Sequence, residues 1–181
     1  MKKGLRYWIL GVGMIVIALN CEAQMTLTPY GFMSDSAQAY LVWEFPDRSK
    51  QELYESSLNH FKRKYDNPDK VLQLVDNHSI FVNALLSVRY NVWNSMFGYK
   101  IRYEIDVSFK EGRMKVEPKI ESIIELIMDL PGGRKMATSE IWVIENGEAT
   151  IKRGDIVRGI NKWINGYTEE LRKSIISDNE W

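Results

Sequence analysis

The amino-acid sequence predicts a two-layer α+β domain, in which an antiparallel sheet with one apolar face is covered by two helices on that face. Three observations support this class. Residues 99–120 alternate apolar and polar side chains in two runs, while residues 49–65 and 155–175 repeat apolar side chains at steps of three and four. Alternation is typical of a strand with one buried face. Steps of three and four are typical of a helix with one buried face. The predicted order is β-α-β-β-β-β-α.

The two alternating runs flank Glu111-Gly112, and they are predicted to pair as a long hairpin with its turn there. The apolar partners would be Phe109 and Met114, Val107 and Val116, and Ile105 and Pro118. The charged partners would be Lys110 and Arg113, Glu104 and Lys119, Arg102 and Glu121, and Asp106 and Glu117. The pairing of Asp106 with Glu117 is unfavourable, because like charges directly opposite each other repel.

Before this hairpin, the sequence predicts one strand, one helix and a second hairpin. Residues 38–45 alternate and end at Pro46, and Ser49 to Glu52 form a capping box that starts the helix. The helix carries an apolar stripe and ends before the breaker at residues 66–69. The apolar stretches 71–75 and 80–90 predict the second hairpin, and residues 91–98 a linker.

After residue 120 two alternatives remain open. Residues 121–124 either extend the strand or start a helix that continues through Ile127 and Leu130. Residues 141–144 and 149–151 around Asn146-Gly147 predict a short hairpin. The last helix is predicted from Asp155 as N-cap, over five or six turns, with an apolar stripe from Ile156 to Ile175. Gly159 and Gly166 each weaken it by about 1 kcal/mol relative to alanine.

The N-terminal residues predict export. Lys2, Lys3 and Arg6 precede an apolar stretch over 7–19, and small residues follow before Gln24, which is the pattern of a signal peptide over residues 1–23. The apolar stretch is shorter than the roughly 20 residues that span a membrane. Cys21 could instead be a lipidation site, but Asn20 before it is unusual there, and we favour ordinary cleavage. The expected location is the periplasm or the cell surface.

The predicted plan is therefore a signal peptide over 1–23, an extended leader over 24–37, one domain over 38–177 with a less regular insertion at 126–153, and a tail over 178–181. The chain has 24 basic and 24 acidic residues, so no bulk charge points to a nucleic-acid partner. Its single cysteine excludes an internal disulfide.

The order of elements resembles a known family of exported bacterial domains of unknown function that have a TBP-like fold. The resemblance covers residues 38–123 and is carried by Ser49-Lys50-Gln51-Glu52-Leu53-Tyr54 after the first strand and by the hairpin sequence from Tyr99 to Arg113. It implies the fold alone, since the family carries no catalytic residues to transfer and a fold does not imply a function.

No sequence motif of a catalytic or cofactor site is present, so no cofactor is expected. The two histidines, His60 and His78, lack ligand spacing for a metal. The polar face of the hairpin mixes basic with acidic residues and has no aromatic side chain for base stacking, so we expect no nucleic acid. Arg153-Gly154-Asp155 spells an adhesion tripeptide, which we interpret as a turn before a helix.

The candidate binding residues are Tyr90, Trp93 and Phe97, which surround a segment rich in asparagine and serine. Exposed together they would form a patch for a glycan or a partner protein; buried, they would cap the core. The predicted function is a non-enzymatic envelope module that binds a protein or glycan. The alternative is an envelope hydrolase with a carboxylate site that no motif reveals.

Overall fold

The computed structural model describes residues 24–76, 78–92, 95–126 and 133–177, and for 89–92 and 95–97 it describes the backbone alone. The predicted signal peptide and tail lie outside these residues. The strands are β1 (Met25–Thr28), β2 (Gly31–Ser34), β3 (Leu41–Glu44), β4 (Leu72–Val75), β5 (Ser79–Val92), β6 (Ser95–Lys110), β7 (Arg113–Leu126), β8 (Arg134–Lys135), β9 (Trp142–Glu145) and β10 (Glu148–Ile151). The helices are α1 (Lys50–Lys64), α2 (Pro68–Val71), α3 (Thr138–Ile141) and α4 (Gly154–Ser177).

The main sheet is antiparallel and has the strand order β3-β7-β6-β5-β4, with β8 beside the far end of β7. Its centre is the predicted hairpin of β6 and β7, in the predicted register from Lys110 opposite Arg113 to Glu104 opposite Lys119. The strand alternative for residues 121–124 is correct, because β7 continues to Leu126 and gains a partner in β8.

Both long helices pack on the apolar row of β6. Tyr54 of α1 meets Phe109 edge-on at a ring-centroid distance of 5.6 Å, and Trp163 of α4 meets Tyr103 at 4.5 Å. The predicted capping box at Ser49 and Glu52 starts α1. The two helices contact each other through stacked Phe61 and Tyr167. The fold is therefore the predicted two-layer α+β arrangement, with both helices on one face.

Two boundaries in this part of the fold differ from the prediction. Residues 91–98 are not a linker, since the backbones of β5 and β6 remain paired as far as Val92 and Ser95. Their polar sequence breaks the alternation, but backbone hydrogen bonding does not require it. Helix α4 begins at Gly154, which moves Asp155 from the N-cap into the first turn, where its charge still favours the helix dipole. The predicted short hairpin of residues 141–151 is present as β9 and β10.

The segment 24–37 is not an extended leader but an ordered hairpin of β1 and β2 that belongs to the core. Met25, Leu27 and Phe32 are buried. Two asparagines of α4 bind the outer edge of β1, since Asn165 Oδ1 accepts from the Met25 amide at 2.7 Å and Asn161 Oδ1 from the Leu27 amide at 2.8 Å. These side chains satisfy amides that would otherwise be buried without acceptors, and the sequence of the segment gives no sign of them.

Candidate functional site

The open face of the sheet is the face that carries the polar side chains of β6 and the side chains of the adjacent strands that lie beside them. The two long helices pack on the opposite, apolar face, where Tyr54 contacts Phe109 and Trp163 contacts Tyr103. Register places Phe81 of β5 and Glu117 of β7 on either side of Asp106, so these three side chains occupy neighbouring positions at the centre of the face. The sequence argument found no aromatic side chain on the hairpin itself; β5 adds Phe81 beside it.

Glu117 is held by two lysines of its own strand. Lys115 Nζ lies 3.1 Å from Glu117 Oε2, and Lys119 Nζ lies 3.1 Å from Glu117 Oε1. Partial burial raises the pKa of Glu117, but the hydrogen bonds from Lys119 and Lys115 outweigh it and keep the pKa below its usual value. Both lysines are therefore committed to Glu117, and this carboxylate is fully paired.

Asp106 lies opposite Glu117, but in the described part of the chain no lysine forms an ion pair with its carboxylate. Burial raises the pKa of its carboxyl; attraction by Lys115 opposes the rise, and repulsion by Glu117 adds to it. One carboxyl oxygen, Oδ1, is shielded from solvent and accepts no hydrogen bond from the described residues. The like-charge pair predicted from the sequence is therefore present. Its repulsion acts mainly on the carboxyl of Asp106, because Glu117 is paired with two lysines.

Two further pairs of opposite charges lie on the face. A bulge beside Arg102 places Ser122 opposite it, so the predicted partner Glu121 is displaced by one residue, although the ion pair survives at 3.9 Å. Arg113 contacts Glu44 at 3.2 Å. Apolar side chains, Val42, Val75 and Leu85, are exposed between these charges. The result is a mixed, self-neutralised surface.

The candidate binding residues predicted from the sequence do not lie at this centre. The backbones of Tyr90 and Phe97 are paired at the far end of the β5–β6 hairpin, and Trp93 lies outside the described residues. The side chains of Tyr90 and Phe97 also lie outside the described part. The proposal of an aromatic patch therefore stays a prediction.

The other motifs singled out in the sequence have structural roles. Arg153 and Asp155 of the adhesion tripeptide bind each other, and Arg153 also contacts Glu125 at 3.1 Å, so the side chains that adhesion would require free are paired. His60 is buried in α1, whereas His78 lies in an exposed turn. Within the described ranges, no group of three or more potential metal ligands comes together, and no helix is long and apolar enough to span a membrane.

Two clefts lie away from the centre of the open face. One, of about 600 Å³, is open and charged, and it lies where the β6–β7 turn meets the start of α1, lined by Glu44, Arg48, Glu52, Glu111 and Arg113 among others. The other, of about 370 Å³, lies between the β1–β2 hairpin, β7 and residues 135–142. Neither Asp106 nor Glu117 lines either cleft.

A sheet covered on one face by two helices defines the class of this protein as a two-layer α+β domain with a TBP-like fold. The family model of the domain of unknown function DUF4468 with TBP-like fold matches residues 40–119. The resemblance inferred from the sequence is thereby confirmed. The match includes the centre of the open face and ends before residue 120.

Solved structures show the same fold. A DUF4468 family protein from Bacteroides ovatus is similar with a TM-score of 0.59 and 12% identity, over 75% of this chain and 84% of that one. A TBP-like protein from Parabacteroides distasonis is similar with a TM-score of 0.56 and 15% identity, over 75% of this chain and 90% of that one. No protein of curated function matches the sequence.

Proposed function

We propose that this protein is exported and that it acts as a binding module, holding a partner protein on the open face of its sheet. The proposal rests on the environment of the Asp106 carboxyl group. A half-buried carboxyl at the centre of an uncovered face has an unmet hydrogen-bond acceptor and a like charge opposite. A basic side chain of a partner would relieve both costs, because buried acceptors are normally satisfied and carboxylates bind cations most strongly.

The composition of the face favours a protein over a glycan. Several of its charges are paired with one another, and exposed Val42, Val75 and Leu85 lie on the same face. Protein interfaces are mixed in this way, and are no more apolar as a whole than the remaining surface. Phe81 supplies one aromatic side chain near the centre, which is less than the stacking platforms that ring-shaped ligands favour.

One observation favours the alternative, a hydrolase. The pKa of Asp106 is raised and that of Glu117 is lowered, and opposite displacement is the pattern of an acid and a base. However, a hydrolase would enclose such a pair in a cavity, and the two clefts described above are lined by other residues. We therefore rank binding first.

The test of binding uses a photo-crosslinking amino acid in place of Ser108, which shares the face of Asp106, with a matched probe at Lys173 on the outside of α4. In cells, the Ser108 probe should crosslink one protein that the Lys173 probe does not. Asp106→Asn should weaken the purified complex roughly tenfold or more, by removing a charge-assisted contact, while Asp69→Asn on exposed α2 should not. Equal crosslinking at both probes, or an unchanged affinity for Asp106→Asn, would contradict the proposal.

Export is supported by the signal pattern and by the position of β1. Cleavage before Gln24 leaves intact the buried Met25 and its bonds to Asn165. The intact mass of the exported protein should correspond to a chain that begins at Gln24. Labelled palmitate that is incorporated into the wild type but not into Cys21→Ala would instead make it a lipoprotein.

A further inference from the structure

The cleft of about 370 Å³ is formed by three segments that are distant in sequence. They are the turn end of the β1–β2 hairpin, the bulged part of β7 from Ile120 to Ile123, and the chain from Lys135 to Trp142. The apolar lining includes Leu27, Ile123, Met136, Ile141 and Trp142, all of which belong to the buried core. Every residue that lines it lies outside residues 40–119, the part matched by the family model.

Each wall of this cleft is held by specific contacts. Asn161 Oδ1 accepts from the Leu27 amide at 2.8 Å, and the Met136 amide donates to Ile123 O at 2.8 Å. Gly133 has a φ of +77°, and a Cβ there would lie 2.3 Å from the Glu125 carbonyl oxygen, so the turn into the third wall requires glycine. A cleft with such walls is preformed, which reduces the entropy that a ligand must lose on binding.

The rim of the cleft is polar and carries the ammonium group of Lys135. Arg134 is committed to Glu125 and Glu140, whereas the adjacent Lys135 has no ion-pair partner in the described part of the chain. Thr28, Ser122 and Thr138 add hydroxyl groups, and the carboxylate of Glu121, which also lines the cleft, is paired with Arg102 at 3.9 Å. An apolar interior with a few polar groups at its mouth is the usual composition of a small-molecule site.

We propose that this cleft binds a medium-chain carboxylate, with its hydrocarbon chain against Met136, Ile141 and Trp142 and its carboxylate at Lys135. The apolar floor selects a hydrocarbon, and the unpaired ammonium group at the rim selects an anionic head. This site is separate from Asp106 and the centre of the open face, and it does not depend on the partner protein proposed above.

The test is a titration of the mature chain with hexanoate, octanoate and decanoate below their micelle concentrations, followed by amide chemical shifts. Binding should be saturable, with shifts at residues 120–123 and 135–142, and the affinity should rise roughly fourfold for each added methylene. Decanol should bind at least tenfold more weakly than decanoate. Shifts confined to the open face, or equal affinity for decanol, would overturn the proposal.

Two variants test separately the binding of the carboxylate group and that of the hydrocarbon tail of the ligand. Lys135→Met should weaken decanoate at least tenfold and bring its affinity to that of decanol, while Lys162→Met on the exposed side of α4 should leave both unchanged. Thr138→Phe should block the cleft, and its melting temperature reports whether it remains folded. Lys135→Met cannot disturb the core because Lys135 is exposed, so unchanged decanoate affinity in that variant would refute the assignment of the head group.

Discussion

The two faces of strand β6 differ in what determines them. On the helix side, Ile101, Ile105 and Val107 are completely buried, and their neighbours are the apolar side chains of β5, β7 and both long helices. On the open side, Glu104, Asp106 and Ser108 are half-buried beside charged partners. The first face is set by a repeated hydrophobic pattern, and the second by individual charge pairs, among them the unfavourable pair of Asp106 and Glu117. Stability thus depends on one face of the strand, and the binding proposed above depends on the other.

The largest expected effect tests this division directly. Val107→Asp would bury an unpaired carboxylate and should cost several kcal/mol or abolish folding. Ser108→Asp, one residue further, faces Lys115 across the ladder and should change the free energy of unfolding by no more than about 0.5 kcal/mol. Urea unfolding of the two variants compares them. Similar losses would mean that both faces are covered.

The next effect concerns the N-terminal hairpin on the covered side. Asn165→Ala removes the hydrogen bonds that its amide group makes to the Met25 N–H and C=O, at 2.7 and 3.0 Å. The loss should be about 1–3 kcal/mol, since buried backbone groups are left unsatisfied. Asn83→Ala on the open face is the control and should cost less than about 0.5 kcal/mol. An equally small loss for Asn165→Ala would show that the hairpin does not belong to the cooperative core.

A smaller effect distinguishes the two glycines of α4, which the sequence treats alike. A Cβ at Gly159 would lie 2.3 Å from the Tyr99 hydroxyl, whereas a Cβ at Gly166 meets nothing within 4 Å. Gly166→Ala should stabilise the protein by up to about 1 kcal/mol through helix propensity. Gly159→Ala should destabilise it by about 1 kcal/mol, because the free-energy cost of overpacking against Tyr99 exceeds the gain in helix propensity.

The background variant Tyr99→Phe isolates this clash. Without the hydroxyl, the nearest atom to the added Cβ is the ring carbon at 3.6 Å, an ordinary contact. Gly159→Ala should therefore be less destabilising in that background, and the difference is the coupling energy of a double-mutant cycle. A coupling near zero would show that the helix shifts freely over the sheet.

The smallest expected effect is on the open face and depends on pH. The folded-state pKa of Asp106 is raised, so the stability that this carboxyl contributes is present below the unfolded pKa of about 3.9 and is lost as the pH rises through the folded value. Asp106→Asn should therefore increase stability at pH 7, by less than about 0.5 kcal/mol because the group is partly screened by solvent. The gain should shrink towards pH 4.

Glu117→Gln is the matched opposite. Its folded pKa is lowered, so its contribution is present above the unfolded pKa and is lost as the pH falls through the folded value. This variant should lose stability at pH 7, and the loss should disappear in acid. Urea midpoints of both variants at pH 7 and pH 4 test the signs. The same sign for the two variants would contradict the asymmetry between these opposed carboxylates.

Much of the fold could be predicted because its signals are local and repeated. The alternation from Tyr99 to Ile120 determines which face of the hairpin is buried, and the register of β6 and β7 follows from the turn at Glu111-Gly112. The capping box at Ser49 and the apolar stripe of α4 are equally local. Part of the candidate site was also visible, since pairing Asp106 with Glu117 required only the hairpin register.

What the sequence alone determined is therefore the two-layer class, the central register and the like-charge pair on its polar side. Tertiary structure decided that Phe81 joins that pair, that residues 24–37 enter the core, and that Gly159 differs from Gly166. In each case the partner lies on a different element: β5 beside β6, Asn161 and Asn165 beside β1, and Tyr99 beneath α4. Local patterns specify the face that a side chain occupies, whereas the contact it makes there depends on how separate elements pack together.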